Sequence, residues 1–389
     1  MRVLTVTSLY PNAVQPQRGL FVRERLRRLR RYHDVSLSVV APVPWFPSKA
    51  TIFGDYAAMA RVPYVETDDG EAVFHPRFFQ LPKVGAAFAP KTFAAAVLRE
   101  IRRRAIVCDV VDAHFLFPDG VAAVLVAETI ERPLLMTARG SDVNIIAKEA
   151  VAGRWIRWAL RRADSVAAVS SDLAQQLRCL SGGRDVETIA NGVDRQLFSP
   201  SADRAALRRR LGFSTFTALS VGNLIELKGH ALVIDAVASV PDCHLVIVGS
   251  GPLQDELESK IRAQNLGARV RLVGSLPQDR LADFYRAADV LVLASRFEGL
   301  PNVILESLAS GTRVVATATP GAREVIGNDA AGVLCERTAN AIASALRRVK
   351  ATDGGDAGTI RASVDRFDWR TCADRHHGAL SRILSGERD

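Results

Sequence analysis

Short apolar segments along the chain end repeatedly in Gly, Ser, Asp or Asn and are followed by segments with helical periodicity. This alternation is typical of strands and helices that build parallel sheets. It occurs in two series, the first running from VLTVTS near the N-terminus to VETIANG and the second from FTALSVGN to GVLCE. The sequence therefore predicts an α/β protein with one parallel sheet in each half.

The length also indicates two domains, because 389 residues exceed one ordinary domain of about 150 residues. The segment NGVD (191–194) separates the two series, so we expect an N-terminal domain over residues 1–194 and a C-terminal domain over residues 195–368. Ligands of open parallel sheets bind beyond the carboxyl ends of the strands. We therefore expect a deep interdomain cleft to hold the functional site.

A long segment between Pro42 and Pro90 interrupts the first series and is rich in Pro, Phe and Gly. Insertions of this length are usually functional or mobile. Its aromatic residues include Trp45, Phe46, Tyr56, Phe78 and Phe79.

The composition, with 48% apolar and 24% charged residues, is that of a globular protein. No apolar segment approaches the roughly 18 residues of a membrane-spanning helix. The N-terminal MRVLTVTSLYPNAV lacks the features of a secretory signal and is typical of a buried first strand. We expect a cytoplasmic protein with reduced thiols, because its five scattered cysteines include no close pair.

The net charge of +9 is concentrated near the N-terminus, where residues 18–31 contain seven arginines and one glutamate. Val22, Leu26 and Leu29 recur at helical spacing, which predicts a basic amphipathic helix. One interpretation is a docked helix with a solvated basic face; the other places it against anionic lipid head groups. Nucleic acid is less favoured, because no aromatic-basic interleaving accompanies the charge. The arginines proposed to face lipid are Arg23, Arg27, Arg30 and Arg31.

The segment SRFEGLPNVILE follows the apolar strand VLVLA and carries two glutamates eight positions apart. Pro301 stands at a predicted helix start, where free backbone N–H groups can approach an anion or sugar hydroxyls. Glu298 then lies at the loop tip and Glu306 in the second turn, so they can contact separate parts of one elongated ligand. The alternative is that Glu298 is a charge partner of the helix N-terminus and Glu306 a surface acid.

Two further loops of the second half are suited to phosphate. SVGNLIELKGH places Lys228 and Gly229 at a helix start, although such a lysine is most often only solvated. VGSGPL places Gly249 and Gly251 after another strand, which suggests close backbone approach to a ligand. Because the full GxGxxG fingerprint is absent, a nicotinamide-dependent dehydrogenase is less favoured.

In the first half, His114 follows one strand, and Arg139, Gly140 and Asp142 follow the next. These are also cleft positions, but a strand-end histidine is often structural and Asp142 could cap the next helix. Gly19 precedes the basic helix, where backbone N–H groups could meet phosphate or simply begin the helix. The sequence contains no nucleophile elbow, HExxH motif, P-loop or metal-ligand cluster, and no DxD-like acid pair at a strand end. We therefore expect no metal cofactor, with N–H groups and Lys228 neutralising a phosphate.

Taken in order, the motifs RGLF, AHFLFPDG, TARGSDV, VSSDL, NGVD, VGNLIELKG, VGSGPL and SRFEGLPNVILESLASGTRVVAT resemble glycosyltransferase family 4 over essentially the whole chain. The resemblance implies retaining transfer and two facing Rossmann-like domains, the GT-B architecture. It further implies that the N-terminal domain binds acceptor and is joined by a C-terminal helix, about residues 369–389, whereas the C-terminal domain binds a nucleotide-sugar donor.

The resemblance implies that Glu306 accepts hydrogen bonds from the hydroxyls of the donor ribose. It also implies that Glu298 positions the transferred sugar together with the backbone N–H groups of Gly299 and Leu300. Lys228 would bind the diphosphate. His114 and Asp142, with Glu298, form the implied catalytic set. The implied donor-binding set comprises Gly19, Asn223, Lys228, Gly249, Gly251, Arg296, Phe297, Gly299, Leu300, Pro301, Asn302 and Glu306.

Three positions depart from the family pattern. Asn223 stands where arginine is common, so one phosphate-binding cation is missing and Arg296 or another residue would have to substitute. Arg139 stands where histidine is frequent, and Arg313 where proline is common. We expect these last two to bear less directly on the chemistry.

The resemblance implies a hexosyltransferase that moves sugar from a UDP- or GDP-sugar to a glycan or polyprenyl-linked acceptor. Cell-surface polysaccharide assembly would be its context, in the cytoplasm or at the inner face of the membrane. Two rival interpretations stay open: a nucleotide-sugar epimerase of the same architecture, which needs no acceptor, and a non-catalytic nucleotide-sugar-binding subunit.

Overall fold

A computed structural model describes residues 1–45, 58–80, 85–352 and 355–386. The chain divides into two compact units, Met1–Asn191 with Trp369–Asp389, and Gly192–Asp368. The division falls at Asn191 because Val193 already belongs to the second unit, where its N–H donates to Phe367 O at 3.0 Å. The predicted α/β class with two parallel sheets is confirmed.

The first unit contains an eight-stranded sheet in the order β10-β9-β8-β7-β1-β2-β5-β4, in which only the β4–β5 pair is antiparallel. Its strands are β1 (Arg2–Val6), β2 (Ser36–Val40), β4 (Val65–Asp68), β5 (Glu71–Phe74), β7 (Val110–His114), β8 (Leu134–Ala138), β9 (Ser165–Ala168) and β10 (Glu187–Thr188). A separate parallel pair is formed by β3 (Val43–Trp45) and β6 (Arg77–Phe79).

The α-helices of this unit whose bounds both lie within the described residues surround the sheet. They are α1 (Leu20–Tyr32), α2 (Ala89–Arg104), α3 (Val121–Ile130), α4 (Ser141–Asn144), α5 (Ala150–Leu160), α6 (Ser171–Ser181) and the C-terminal helix α15 (Trp369–Leu384). Helix α15 packs on the first sheet because Trp369, Leu380 and Ile383 lie in one apolar cluster with Val3 and Val110. Burial of such side chains stabilises the unit by about 1.5–3 kcal/mol each.

The second unit contains a six-stranded, wholly parallel sheet in the order β13-β12-β11-β14-β15-β16. Its strands are β11 (Phe216–Val221), β12 (Cys243–Val248), β13 (Val270–Leu272), β14 (Val290–Leu293), β15 (Arg313–Thr317) and β16 (Gly332–Cys335). Its helices are α7 (Arg204–Leu211), α8 (His230–Ala238), α9 (Gln254–Ala263), α10 (Gln278–Ala287), α11 (Asn302–Ala309), α12 (Pro320–Val325), α13 (Ala339–Ala351) and α14 (Ala357–Ala362). The strands of this sheet with a continuous apolar sequence are buried on both faces, which is typical of parallel sheets covered by helices.

The predicted basic helix is α1, and its apolar face is confirmed, with Val22, Leu26 and Leu29 buried. Many of its arginines already have acidic partners. Arg30 lies 2.7 Å from both Asp69 and Glu71 at the β4–β5 hairpin.

Arg27 pairs with Asp68 of the same hairpin, and Arg23 with Glu24 at 3.6 Å. Less of the positive charge is therefore available to an outside partner than the sequence count suggests.

The aromatic insertion is described only in part, since Phe46 and Tyr56 lie outside the described residues. Phe78 is buried against Phe93, with ring centroids 5.0 Å apart. Trp45 and Phe79 are exposed. No helix within the described ranges is both long and apolar enough to cross a membrane.

Candidate functional site

Two residues predicted for the site, Lys228 and Glu298, are in direct contact in the second unit. Lys228 Nζ donates to Glu298 Oε1 at 2.6 Å, and Ser295 Oγ donates to the same oxygen at 2.6 Å. The side chains of Lys228 and Glu298 are 23% and 12% exposed. A cation and a carboxylate from segments far apart in sequence thus meet beyond the carboxyl ends of β11 and β14.

Gly229 allows this contact. It follows the 3₁₀ turn Glu226–Lys228 with φ of 69° and begins α8. A Cβ atom at this position would lie 2.4 Å from Ala294 O, just after β14. Because only glycine permits both the conformation and the approach, the lysine loop can abut the glutamate loop.

Gly249 and Gly251 also have a packing explanation. Gly249 has φ of 152°, and a Cβ atom there would lie 1.9 Å from Gly222 O. The corresponding atom of Gly251 would lie 2.6 Å from Leu224 O. Both glycines therefore let the loop after β12 lie against the loop after β11, and their contact with a ligand stays a prediction. Asn223 is exposed in the adjoining loop.

The loop between β14 and α11 is well buried at Gly299, Leu300 and Pro301, whereas Phe297 and Asn302 are half-buried. The helix begins at Asn302, one residue after the predicted position, and has no side-chain cap. The N–H groups of its first turn have no acceptor within the helix. This helix end has the donors to receive an anion or sugar hydroxyls, and that contact stays a prediction.

Glu306 lies in the second turn of α11, as predicted, but the sequence did not reveal its partner. Tyr285 Oη donates to Glu306 Oε2 at 2.8 Å, and the tyrosine is fully buried. Burial raises the pKa of Glu306 to about 7. One carboxylate oxygen is thus held by Tyr285, and this burial differs from that of a solvated surface acid, while the contact of Glu306 with a ligand stays a prediction.

Arg296 was one candidate to replace the missing phosphate cation at Asn223, alongside any other suitable residue. It instead pairs with Glu226 at 3.1 Å, and the side chains are 52% and 81% exposed. Arg337, which sequence reasoning missed, donates to Glu226 O at 3.2 Å and to Ala294 O at 2.9 Å. Arg296 could still turn to a ligand, because an exposed pair of this kind is weak.

In the first unit, His114 ends β7 and has no exposed surface. Its Nε2 lies 3.1 Å from Asp112 Oδ2, and its Nδ1 lies 2.7 Å from Arg139 Nη2. Burial lowers the pKa of His114 to about 3, so the imidazole is neutral. Because the guanidinium can only donate, Nδ1 is the acceptor and Nε2 carries the proton. Both ring nitrogens thus lie beside protein groups, and a catalytic role of His114 stays a prediction.

Asp142 is also fully buried. Its carboxylate accepts backbone N–H bonds from Gly140 at 2.7 Å, Arg139 at 3.1 Å and Val143 at 3.1 Å, and from Leu116 at 3.0 Å. These bonds order the loop after β8 and tie it to the loop after β7. Asp142 lies within α4 and does not cap it, since the N-cap is Gly140 with no side-chain cap, and the contact of Asp142 with substrate stays a prediction.

Gly19 lies at the start of α1 with φ of 66°, and a Cβ atom there would lie 2.1 Å from Leu9 O. The turn into the helix therefore requires glycine. Sequence reasoning missed Asp119, whose buried carboxylate accepts from Ser8 N and from Ser8 Oγ and holds the loop that precedes this helix.

Asp112, His114 and His376 are the one group among the described residues whose ligand atoms lie close enough to hold a metal, within 4.8 Å of one another. Nε2 of His376, on α15, lies 3.2 Å from Asp112 Oδ2. Because Arg139 donates to His114 Nδ1, His114 Nε2 carries a proton and has no lone pair for a metal. The Asp112 carboxylate thus lies close to two buried imidazoles.

Two family descriptions match the chain, "Glycosyltransferase Family 4" over residues 21–197 and "Glycosyl transferases group 1" over residues 203–356. A "D-inositol 3-phosphate glycosyltransferase" of Xylanimonas cellulosilytica is 32% identical over 84% of this chain and 85% of its own length. The "Putative teichuronic acid biosynthesis glycosyltransferase TuaC" of Bacillus subtilis is 29% identical over 90% of this chain and 89% of its own. The crystal structure of Anabaena HepE in complex with UDP has a TM-score of 0.73 at 22% identity, covering 98% of this chain and 100% of that one.

Proposed function

The chain belongs to glycosyltransferase family 4, and from that premise we propose that it moves a hexose from a UDP- or GDP-sugar to an acceptor hydroxyl with retention of configuration. The observation that carries the proposal is the contact of Lys228 with Glu298 at 2.6 Å. It brings the cation proposed for the diphosphate and the acid proposed for the sugar to one edge of the second sheet.

The donor is proposed to lie along the second unit in three parts. Its diphosphate contacts Lys228, and its transferred sugar lies between Glu298 and the first turn of α11. Its ribose hydroxyls donate to Glu306, which Tyr285 holds in place. The two glutamates face opposite ends of the donor because one is at the loop tip and the other is in the second helical turn.

The proposed reaction breaks the bond between the anomeric carbon and the diphosphate oxygen and forms a bond from that carbon to the acceptor oxygen on the same face. Negative charge develops on the leaving diphosphate and is stabilised by Lys228 and fixed N–H dipoles. Positive charge develops at the anomeric carbon and is stabilised by Glu298. The acceptor proton passes to the leaving diphosphate.

Relatives support a polysaccharide or phosphorylated acceptor. One is named for teichuronic acid biosynthesis and another for D-inositol 3-phosphate, and the structurally similar HepE was crystallised with UDP. We therefore propose a glycan or polyprenyl-linked acceptor in cell-surface polysaccharide assembly, met in the cytoplasm at the inner face of the membrane. The arginines of α1 give this membrane contact limited support because acids neutralise several of them.

The experiment is a transfer assay of the full chain with UDP- and GDP-sugars, with and without glycan or polyprenyl-linked acceptors. Retaining transfer would be supported if product forms only when acceptor is present. NMR of the product should then show the same anomeric configuration as the donor sugar. Conversion of the nucleotide sugar without acceptor would point to an epimerase. Nucleotide-sugar binding without either product would point to a regulatory subunit.

A further inference from the structure

Helix α5 of the first unit leaves an aromatic stripe partly open to solvent. Val151, Trp155 and Trp158 recur at intervals of four and three residues, which places them on one side of the helix. Val151 is 46% exposed, and both tryptophans are half-buried. The two indole rings contact each other edge to face, with centroids 5.4 Å apart. The residues of α5 that pack into the unit are Ala152, Gly153, Ile156, Ala159 and Leu160.

Arginines stand beside this stripe, and the helix itself contains no acidic residue. Arg162, just after the helix, pairs with Glu128 at 2.6 Å, and its guanidinium lies 5.1 Å from the ring centre of Trp158. The arginines within α5 form no ion pair with a carboxylate of the described residues, unlike several arginines of α1. We call the outward residues of the helix the α5 surface; they are Val151, Arg154, Trp155, Arg157, Trp158 and Arg161.

Further exposed aromatic side chains lie next to α5. The 3₁₀ turn Gly85–Ala87 packs against this helix, and Phe88, directly after the turn, is 65% exposed. Thr92 Oγ1 lies 3.4 Å from Phe88 O and 2.7 Å from Phe79 O, so Phe79 is a close neighbour. The ring of Phe79 in turn lies 6.4 Å from that of Trp45, and both are about two-fifths exposed. Apolar surface of this extent, with charges at its margin, is typical of an interaction site.

The charge of the α5 surface decides which partner fits it. A second copy of the chain would place the same arginines opposite each other, because a two-fold contact repeats one surface on both sides. The helix offers no acid to pair with them, so this contact would be repulsive. An anionic bilayer is complementary to both components, since lipid phosphates attract arginines and indole rings favour the head-group layer.

We propose that the α5 surface docks on an anionic bilayer, with its indoles in the head-group layer and its arginines on lipid phosphates. Ile145, which is 38% exposed, lies between Asp142 and the start of α5. A docked α5 therefore holds the loop after β8 close to the head groups, where a lipid-linked acceptor presents its sugar. The inference rests on the proposed function for the nature of that acceptor, but the contact with lipid is independent of turnover.

Cosedimentation of the full chain with vesicles of phosphatidylcholine and phosphatidylglycerol tests the α5 surface. We expect the wild type to bind these vesicles, and Arg154→Gln combined with Arg161→Gln to bind them about 25-fold more weakly, at about fivefold per arginine. Arg209→Gln combined with Arg280→Gln is the matched control, because both are exposed arginines of the second unit. An equal loss in the two double variants would overturn the proposal. Absence of binding by the wild type would overturn it in favour of an acidic protein partner.

Tryptophan fluorescence tests whether the indoles reach the lipid. Trp155→Phe combined with Trp158→Phe keeps two apolar rings and removes two of the four tryptophans of the chain. Brominated phosphatidylcholine in the same anionic vesicles quenches tryptophans that enter the bilayer. We expect quenching in the wild type and the loss of most of it in the double variant, with vesicle binding retained. Undiminished quenching in the variant would contradict the proposal.

Sedimentation velocity without lipid tests the second copy as the alternative partner. A wild-type dimer that dissociates in Arg154→Gln with Arg161→Gln would assign the α5 surface to self-association and overturn the bilayer contact. The outcomes also separate this inference from the proposed function. Vesicle binding through the α5 surface without sugar transfer would contradict the proposed function alone, whereas transfer to an acceptor in solution without vesicle binding would overturn the α5 surface alone.

Discussion

Replacing Glu298 with glutamine tests the proposed division of labour between binding and turnover. Without ligand, Glu298 Oε1 accepts from both Lys228 and Ser295 at 2.6 Å. The lysine that is proposed to bind the diphosphate is therefore already paired with a carboxylate. Glu298→Gln keeps the size of the side chain but removes the negative charge that competes for Lys228.

The expected change in nucleotide affinity follows from the distance between the charges. A diphosphate oxygen and Glu298 Oε1 on either side of one ammonium lie about 6 Å apart, and at an effective dielectric constant of about 20 they repel by about 3 kcal/mol. Screening by solvent and salt reduces this for partly exposed groups. We expect Glu298→Gln to tighten UDP or GDP binding by about tenfold, which is about 1.4 kcal/mol. Turnover should fall by about 10²–10³, because the charge facing the anomeric carbon is lost.

Isothermal titration with UDP and GDP gives the first quantity, and steady-state transfer gives the second. Glu226→Gln is the matched control, since Glu226 is an acid of the neighbouring 3₁₀ turn that contains Lys228, pairs with Arg296 and is 81% exposed. Weaker nucleotide binding with unchanged kcat in Glu298→Gln would refute the reasoning. The same changes in the control would show that net charge alone, and not the contact with Lys228, is responsible.

Three further predictions concern the rest of the molecule. Burial raises the pKa of Glu306 from 4.5 to about 7, so between these pH values the folded state keeps a proton that the unfolded state has lost, and the free energy of unfolding falls as pH rises. Glu306→Gln should remove this pH dependence in urea denaturation and should weaken donor binding. An unchanged pH dependence in the variant would contradict the prediction. His376→Phe removes one imidazole from Asp112 and should lower the free energy of unfolding, measured with urea, by about 1–3 kcal/mol. His377→Phe is the control, and an equal loss in both variants would show that the contact of His376 with Asp112 does not stabilise the fold. Because Asp68 already pairs with Arg27, Arg27→Gln should lower the affinity for anionic vesicles, measured by cosedimentation, by less than the roughly fivefold expected of a lipid-facing arginine. A larger loss of affinity would show that Arg27 contacts lipid.

The sequence was sufficient to predict the two parallel sheets and to bring Lys228 and Glu298 to one edge of the second. Both follow apolar strands, and the carboxyl ends of parallel strands meet at one edge. The helical face of Val22, Leu26 and Leu29 was predictable for a similar reason, because its period is local.

The partners of these residues were not predictable in the same way. Tyr285 reaches Glu306 from another helix, and His376 reaches Asp112 from the far end of the chain. No spacing along the sequence encodes such contacts, because they depend on how separate elements pack. For Arg139 the sequence showed the departure from histidine but not its consequence, since only the structure shows that this arginine takes up the free nitrogen of His114.

The eight-residue interval between the two glutamates separates two different electrostatic environments. Glu298 lies at the loop tip beside a cation, where a negative charge is stabilised before any ligand arrives. Glu306 is the fifth residue of α11, early in the second turn, where burial raises its pKa to about 7, so that its charge changes with pH near neutrality. A ribose hydroxyl that donates to Glu306 would favour its ionised form, so donor binding should release a proton at neutral pH. Titration in buffers of different ionisation enthalpy should detect this release in the wild type and not in Glu306→Gln, and its absence in both would show that Glu306 does not meet the donor.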